Sequence, residues 1–200
     1  MRDDGVMIED GNLGIEAEQR LIRLPDRLLK EFGCPGLLVA PNPAVRMINK
    51  KNGQFYNYIR PVATISPISL RLNFPVWTPY GYNQTDLLAR DLLGDFAQRA
   101  RKSDEPATVY IAWERQNIQK FYRQIIEQGK LRDLAGTVAT IDDVKLRCDT
   151  PIFWEQCDFD TIWFIRVRKI GVCLSLRAEN LNTAVYQSKC KGAESVSDAP

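Results

Sequence analysis

The chain has 200 residues, 27 basic and 25 acidic, and is 44% hydrophobic and 26% charged. That length suits one domain with a substantial core, and a net charge of +2 is too balanced to argue for nucleic acid or an anionic membrane as partner. Histidine occurs nowhere in the chain, which excludes phosphohistidine chemistry and leaves no ligand to complete a mixed Cys/His zinc site.

The opening MRDDGVMIEDGN is polar and acidic, without the basic and apolar regions of a signal peptide. No apolar run reaches the ~18 residues of a membrane span. The expectation is a cytoplasmic protein without a membrane partner. Ile15 to Phe32 carries Leu21, Leu24, Leu28, Leu29 and Phe32 at mostly helical spacing. Pro25 kinks or divides that helix, and Gly33 stops it. Leu37 to Ala40 reads as a buried strand ending at Pro41-Asn42-Pro43. An Asn-Gly turn signal lies between Met47 and Phe55, and Phe55 to Ile59 reads as extended. Val62 to Leu72 reads as a short helix in which Pro67 is tolerated only near the start. Phe74 to Trp77 reads as a short strand.

Gln84 to Arg101 predicts an amphipathic helix with Leu87, Leu88, Leu92 and Phe96 on one face and Asn83 or Thr85 as cap. Ala107 to Trp113 is the clearest central strand, followed by a helix over Gln116 to Gln128. Asp133 to Asp158 shows little periodicity and reads as a long loop. Asp160 to Val167 is a second clear strand, and VCLSL after Gly171 can pair with it as a hairpin. The last residues read as a flexible tail, 189–200. Strands alternating with helices imply an α/β fold around a largely parallel sheet, with an antiparallel edge near the C-terminus. Val39 and Ile111 are expected at the sheet centre, with Ile15–Phe32 and Gln84–Arg101 on its two faces.

Of the five cysteines, Cys34 and Cys173 sit in apolar settings and read as small core residues. Cys148 and Cys157 flank DTPIFWEQ and are close enough in sequence to meet across a loop. Free thiols are preferred over a bridge in a cytoplasmic protein. Trp154, Phe159, Trp163 and Phe164 read as core packing rather than a stacking platform, with Trp154, inside the loop, the exception to watch.

Four blocks carry a resemblance: GNLGIEAEQR, then LLVAPNPAVRM with YIRPVATI, then TVYIAWERQNI, then FDTIWFIRV. In this order, over most of Gly11 to Val167, they resemble the histidine phosphatase (phosphoglycerate-mutase-like) family. The resemblance implies a three-layer sandwich with a mostly parallel central sheet flanked by helices, spanning 1–188 as a single domain. Leu13 and Gln19 match the family's first helix, whereas Gly14 and Ala17 depart from it.

In that family an Arg-His-Gly ends the first strand and supplies the nucleophile, and arginines with a second histidine hold the phosphoryl oxygens. Here Arg2 keeps the arginine position, but Asp3 stands for the nucleophile and Asp4 for the glycine. The strand before them is missing, as though the chain starts late or the gene is truncated. Arg115 stands where the second histidine is expected. Arg60, with Ala63 and Thr64, matches the second phosphate-binding arginine.

Site residues therefore divide between roles. Arg60 is either a bidentate anion clamp or a surface arginine beside a proline. Arg2 is its companion, or frays at a terminus. Asp3 is a remote aspartyl-phosphate candidate but reads first as a solvated acid. Glu114 is a strand-end active residue or, preferably, a helix N-terminal acid. Arg115 binds an anion or pairs with Glu114 or Asp158. No metal and no cofactor is implied. The sequence thus predicts a catalytically degenerate protein that binds a phosphate-like anion or serves as a regulatory module for a protein partner. The alternative is a hydrolase with altered, histidine-independent chemistry.

Overall fold

In a computed structural model the described residues are 11–48, 52–97, 108–141, 144–150, 161–168 and 171–178. The chain divides into two compact units, Met1–Phe121 and Tyr122–Pro200. Together the elements make a mixed α/β protein. No helix among the described residues is long and apolar enough to cross a membrane.

The first unit begins with helix α1 (Gly11–Phe32). Leu24 and Leu28, four residues apart and so on one face, are buried. Pro25 lies inside the helix and does not divide it. Gly33 ends it at φ +75°, the left-handed region that glycine enters without strain. Its N–H bonds back to the Leu29 carbonyl at 3.1 Å. The Tyr110 hydroxyl then reaches the Leu28 carbonyl at 2.8 Å and the Gly33 carbonyl at 2.5 Å, pinning the end of the helix. Cys34 follows Gly33 and is exposed. Its apolar neighbours suggested a core position, but the turn after the helix carries it to the surface.

Strand β1 (Leu37–Val39) is the middle of a three-stranded parallel sheet. Its neighbours are β4 (Val76–Trp77) and β5 (Val109–Ile111), in the order β4-β1-β5. The register sets Leu38 against both Val76 and Tyr110, and Val39 against Ile111. Val39 is therefore central as expected, whereas Ile111 lies on a flanking strand. Leu38, Val39 and Ala40 are fully buried, as parallel strands covered on both faces require.

Between β1 and β4 lie the antiparallel pair β2 (Arg46–Ile48) and β3 (Phe55–Asn57) and helix α2 (Arg60–Leu72). The Asn-Gly signal marks the hairpin: Gly53 has φ +69°, and Gln54 N–H bonds the Asn52 side chain at 3.0 Å. Helix α2 starts earlier than expected, with Pro61 in its first turn, and it keeps Pro67 in its interior. The position restricted to a helix start is thus occupied mid-helix. Nearby hydroxyls of Thr64 and Ser66 bond back to the carbonyls of Arg60 and Val62 at 3.0 and 2.6 Å, a back-bonding pattern that tends to bend helices. Ile65 and Ile68 are its buried residues besides Pro61, and the helix packs on α1, β1 and β4.

Helix α3 (Thr85–Asp91) passes at Leu92–Phe96 into a π-helical turn. Leu88 and Leu92 are buried, and Leu87 and Phe96 half-buried, so the wider turn spreads the expected stripe. Neither Asn83 nor Thr85 caps it. Gln84 holds that place without capping the helix, and its side chain accepts from Gly81 N–H at 2.8 Å instead. Residues 98–101 of the expected helix lie outside the described residues.

Helix α4 (Arg115–Gln128) carries the chain into the second unit, where Tyr122 and Ile125 are buried. A hairpin of β6 (Val138–Ile141) and β7 (Val144–Arg147) occupies part of the stretch read as loop. Strands β8 (Thr161–Arg168) and β9 (Gly171–Ala178) pair antiparallel from Thr161↔Ala178 to Arg168↔Gly171, the expected hairpin. Among the described residues they form a sheet of their own rather than an edge of the parallel sheet.

The expectation of free thiols fails at Cys148, which is bonded to Cys173. Both are buried in a cluster with Leu134. Thiols that share a dry contact can be oxidised to each other whatever their sequence separation, here 25 residues. Cys157 and Cys190 lie outside the described residues. Hydrogen bonds continue the seam: Asp149 N–H reaches the Leu174 carbonyl at 2.7 Å, and Leu176 N–H the Asp149 carboxylate at 2.8 Å. A Cβ on Gly171 would come within 2.6 Å of the Arg132 carbonyl, so only glycine allows this approach.

Candidate functional site

Ligands of open α/β sheets gather beyond the C-terminal ends of the strands. At that edge three connections are tied together. Ala40 N–H bonds the Trp77 carbonyl at 3.1 Å, Asn42 N–H the Tyr80 carbonyl at 2.6 Å, and Ala112 N–H the Val39 carbonyl at 3.0 Å. The Asn42 side chain accepts from Ala44 N–H at 2.9 Å, turning the chain sharply after β1. Trp113 donates its indole N–H to the Tyr82 carbonyl at 2.8 Å, which fixes the segment after β5 against the one after β4. Gly81 is part of this closeness: a Cβ there would stand 3.0 Å from Val45.

Glu114 closes β5's connection and opens α4. Its carboxylate accepts from Asn117 N–H at 3.0 Å and from the Asn117 side-chain amide at 2.9 Å. That is the geometry of a helix cap, so the acid acts as the helix N-terminal group of the two readings. Arg115 is the first residue of α4, and its side chain lies outside the described residues. Arg60 is the first residue of α2; it is half-buried, and its Nε is enclosed by protein. Because α2 leads directly into β4, which runs parallel to β1, its start belongs to the C-terminal edge of the sheet. Topology thus brings Arg60, Glu114 and the backbone of Arg115 to one edge. Arg2, Asp3 and Asp158 lie outside the described residues.

A cluster that sequence reading did not single out sits at the same edge. The Tyr80 hydroxyl donates to the Asp91 carboxylate, and Arg90 Nε pairs with the other Asp91 oxygen at 3.0 Å. Those two donors hold the Asp91 carboxyl below its usual range, the hydroxyl contributing most. Burial, and then Asp91, push the Tyr80 phenol up. Trp77 meets Tyr80 edge-on at 5.5 Å between centroids. Tyr80 and Asp91 are eleven residues apart with no motif between them, and only the folded chain makes them neighbours.

Of the aromatic group, Trp163 packs edge-on against Tyr122 at 6.0 Å, and Phe164 lies under the Arg166 guanidinium at 4.7 Å. Both rings are half-buried rather than part of the core. Trp154 and Phe159 lie outside the described residues. Among the described residues no group of three or more cysteines or acids is placed to hold a metal ion. The Glu114 and Asp91 carboxylates already accept donors from the protein. Comparison with protein-family models, curated proteins and solved structures gives no match.

Proposed function

We propose that the first unit is a catalytically silent relative of the histidine phosphatase fold that binds a phosphate-like anion at the C-terminal edge of its sheet. One observation carries this reading: Glu114, adjacent to the position where the family's second histidine is expected, spends its carboxylate on capping α4. Arg60 heads α2 at that same edge, where the family's histidine pair would work. The four ordered sequence blocks support the three-layer architecture, and the three-stranded parallel sheet is compatible with it.

The buried bridge of Cys148 and Cys173 bears on compartment. Disulfides persist where the surroundings are oxidising, so such a setting suits this chain better than the cytoplasm expected from its sequence.

Inorganic phosphate titrated against the purified chain should raise its melting temperature in a dose-dependent way, and Arg60→Ala should remove that rise. An unchanged melting temperature in the wild type refutes the anion site. Phosphomonoester hydrolysis should be absent. Steady turnover abolished by Asp3→Ala would replace this reading with an enzyme using an aspartyl nucleophile.

A further inference from the structure

From Phe32 to Thr85 the sequence contains no acidic residue but does contain Arg46, Lys50, Lys51, Arg60 and Arg71. The other 22 of the 27 basic residues are set against all 25 acidic ones elsewhere. A near-neutral total therefore conceals a segment of a single sign, and the hairpin of β2 and β3 lies within it.

The hairpin pairs Arg46 with Asn57, Met47 with Tyr56, and Ile48 with Phe55. Side chains alternate along each strand, so Arg46, Ile48, Phe55 and Asn57 share one face. Met47 and Tyr56 occupy the other, where both are half-buried and the Tyr56 hydroxyl lies 3.8 Å from the Met47 sulfur. On the first face Ile48 is 54% exposed and Phe55, directly opposite, 61%. Val45 and Ile59, just outside the strands, are exposed as well. The apolar pair stands at the turn end of the ribbon, and Arg46 with Asn57 at its base. An aliphatic and an aromatic side chain at a ribbon's tip, on a segment lacking negative charge, are the two ingredients of binding to an anionic bilayer surface.

We propose that this hairpin face docks on an anionic lipid bilayer, with Ile48 and Phe55 entering the boundary between headgroups and acyl chains and Arg46 meeting lipid phosphates. A single-stranded nucleic acid fits the face less well. Base stacking uses successive aromatic rings, and Phe55 is the one ring on a face otherwise aliphatic or polar. A stable protein interface takes roughly 800 Å² from each partner, more than one face of two three-residue strands offers. The proposal does not rest on the anion site of Arg60, which lies on a different element.

The test is co-sedimentation of the full chain with vesicles of phosphatidylcholine alone and of phosphatidylcholine mixed with phosphatidylglycerol. Binding is expected to the anionic vesicles, to weaken as salt rises, and to fall about tenfold or more in the Ile48→Ser/Phe55→Ser double variant. Arg46→Glu should weaken it several-fold. These side chains are exposed, so both variants should melt with the wild type, which keeps the comparison one of binding. Inorganic phosphate should release the chain no better than chloride at equal ionic strength, which separates a lipid surface from a free-phosphate site. Failure to bind anionic vesicles, undiminished binding by the double variant, or tighter binding to a single-stranded oligonucleotide than to vesicles would each overturn the proposal.

Discussion

The two units bury their chains by different means. In the first, β1 is bonded on both edges, and Leu38 and Val39 disappear beneath covering structure. Helix α2 packs on β1 and β4, so each step of the chain brings its own cover to the sheet. In the second, the described strands are two-stranded ribbons, which are marginal alone in water. Its buried strand residues Val172, Cys173 and Leu174 sit at a seam closed by hydrogen bonds and by the bond from Cys173 to Cys148. A parallel sheet with its crossover helices gains order from topology, whereas hairpins of this kind need a cross-link or a close-packed seam.

The strongest way to break that contrast is to remove the bridge. For a loop of 25 residues, chain entropy predicts a loss of about 3.5 kcal/mol in Cys148→Ser/Cys173→Ser. Hydrogen exchange should show β8 and β9 losing protection while β1 keeps it. Equal loss in both units would mean that they unfold as one and that the contrast has no energetic content.

Leu38→Ala reverses the experiment. Leu38 is fully buried on the central strand, and its truncation should cost about 3 kcal/mol, with protection lost first in β1. A smaller effect is expected at Thr85, whose hydroxyl is buried without a hydrogen-bond partner. Thr85→Val should raise stability by about 1 kcal/mol, because it removes a desolvated polar atom at nearly constant shape. A fall in the urea midpoint of that variant would show that the hydroxyl is solvated in solution.

What the sequence revealed, and what it hid, follows the same division. Leu37 to Val39, Val109 to Ile111, Gly33 and the Asn52-Gly53 turn were legible because each is a local signal: an apolar run, or a residue suited to positive φ. Pro67 inside α2 and the π-helical turn at Leu92–Phe96 were not, since packing overrides local preference at both. The hairpin of β6 and β7 was missed because four-residue strands carry too few alternations to register as a period. Cys148 and Cys173 could not be paired from spacing, as connectivity is a property of the fold. At the candidate site, Glu114 is legible from its place at a strand end and Arg60 only from the sequence block around it, while the Tyr80–Asp91 pair exists only in three dimensions. Averaging over 200 residues hid the acid-free stretch around the hairpin.

The finest comparison is between two buried tyrosines, one in each unit, and it has no effect at neutral pH. Burial, with a smaller contribution from the charge of Cys34, pushes the Tyr110 phenol from its ordinary value of 10.0 to about 12. Burial also raises Tyr122, and its hydrogen bond to Asp133 at 2.8 Å raises it further. Both groups are thus held in the neutral form by folding. Below about pH 10 the folded and unfolded states carry the same proton, and the stabilisation is fully present. As pH rises past 10, the unfolded tyrosine ionises while the folded one does not, so unfolding releases a proton and becomes easier. For Tyr110 the loss should run at up to about 1.4 kcal/mol per pH unit and level off near pH 12. For Tyr122 it should continue beyond that. Urea unfolding followed from about pH 9 upward should therefore show wild type losing its advantage over Tyr110→Phe and then ceasing to lose it, while the advantage over Tyr122→Phe keeps shrinking. If wild type and Tyr110→Phe fall in parallel across that window, the Tyr110 hydroxyl is not buried against the end of α1. The closing bond of the first unit would then be absent in solution.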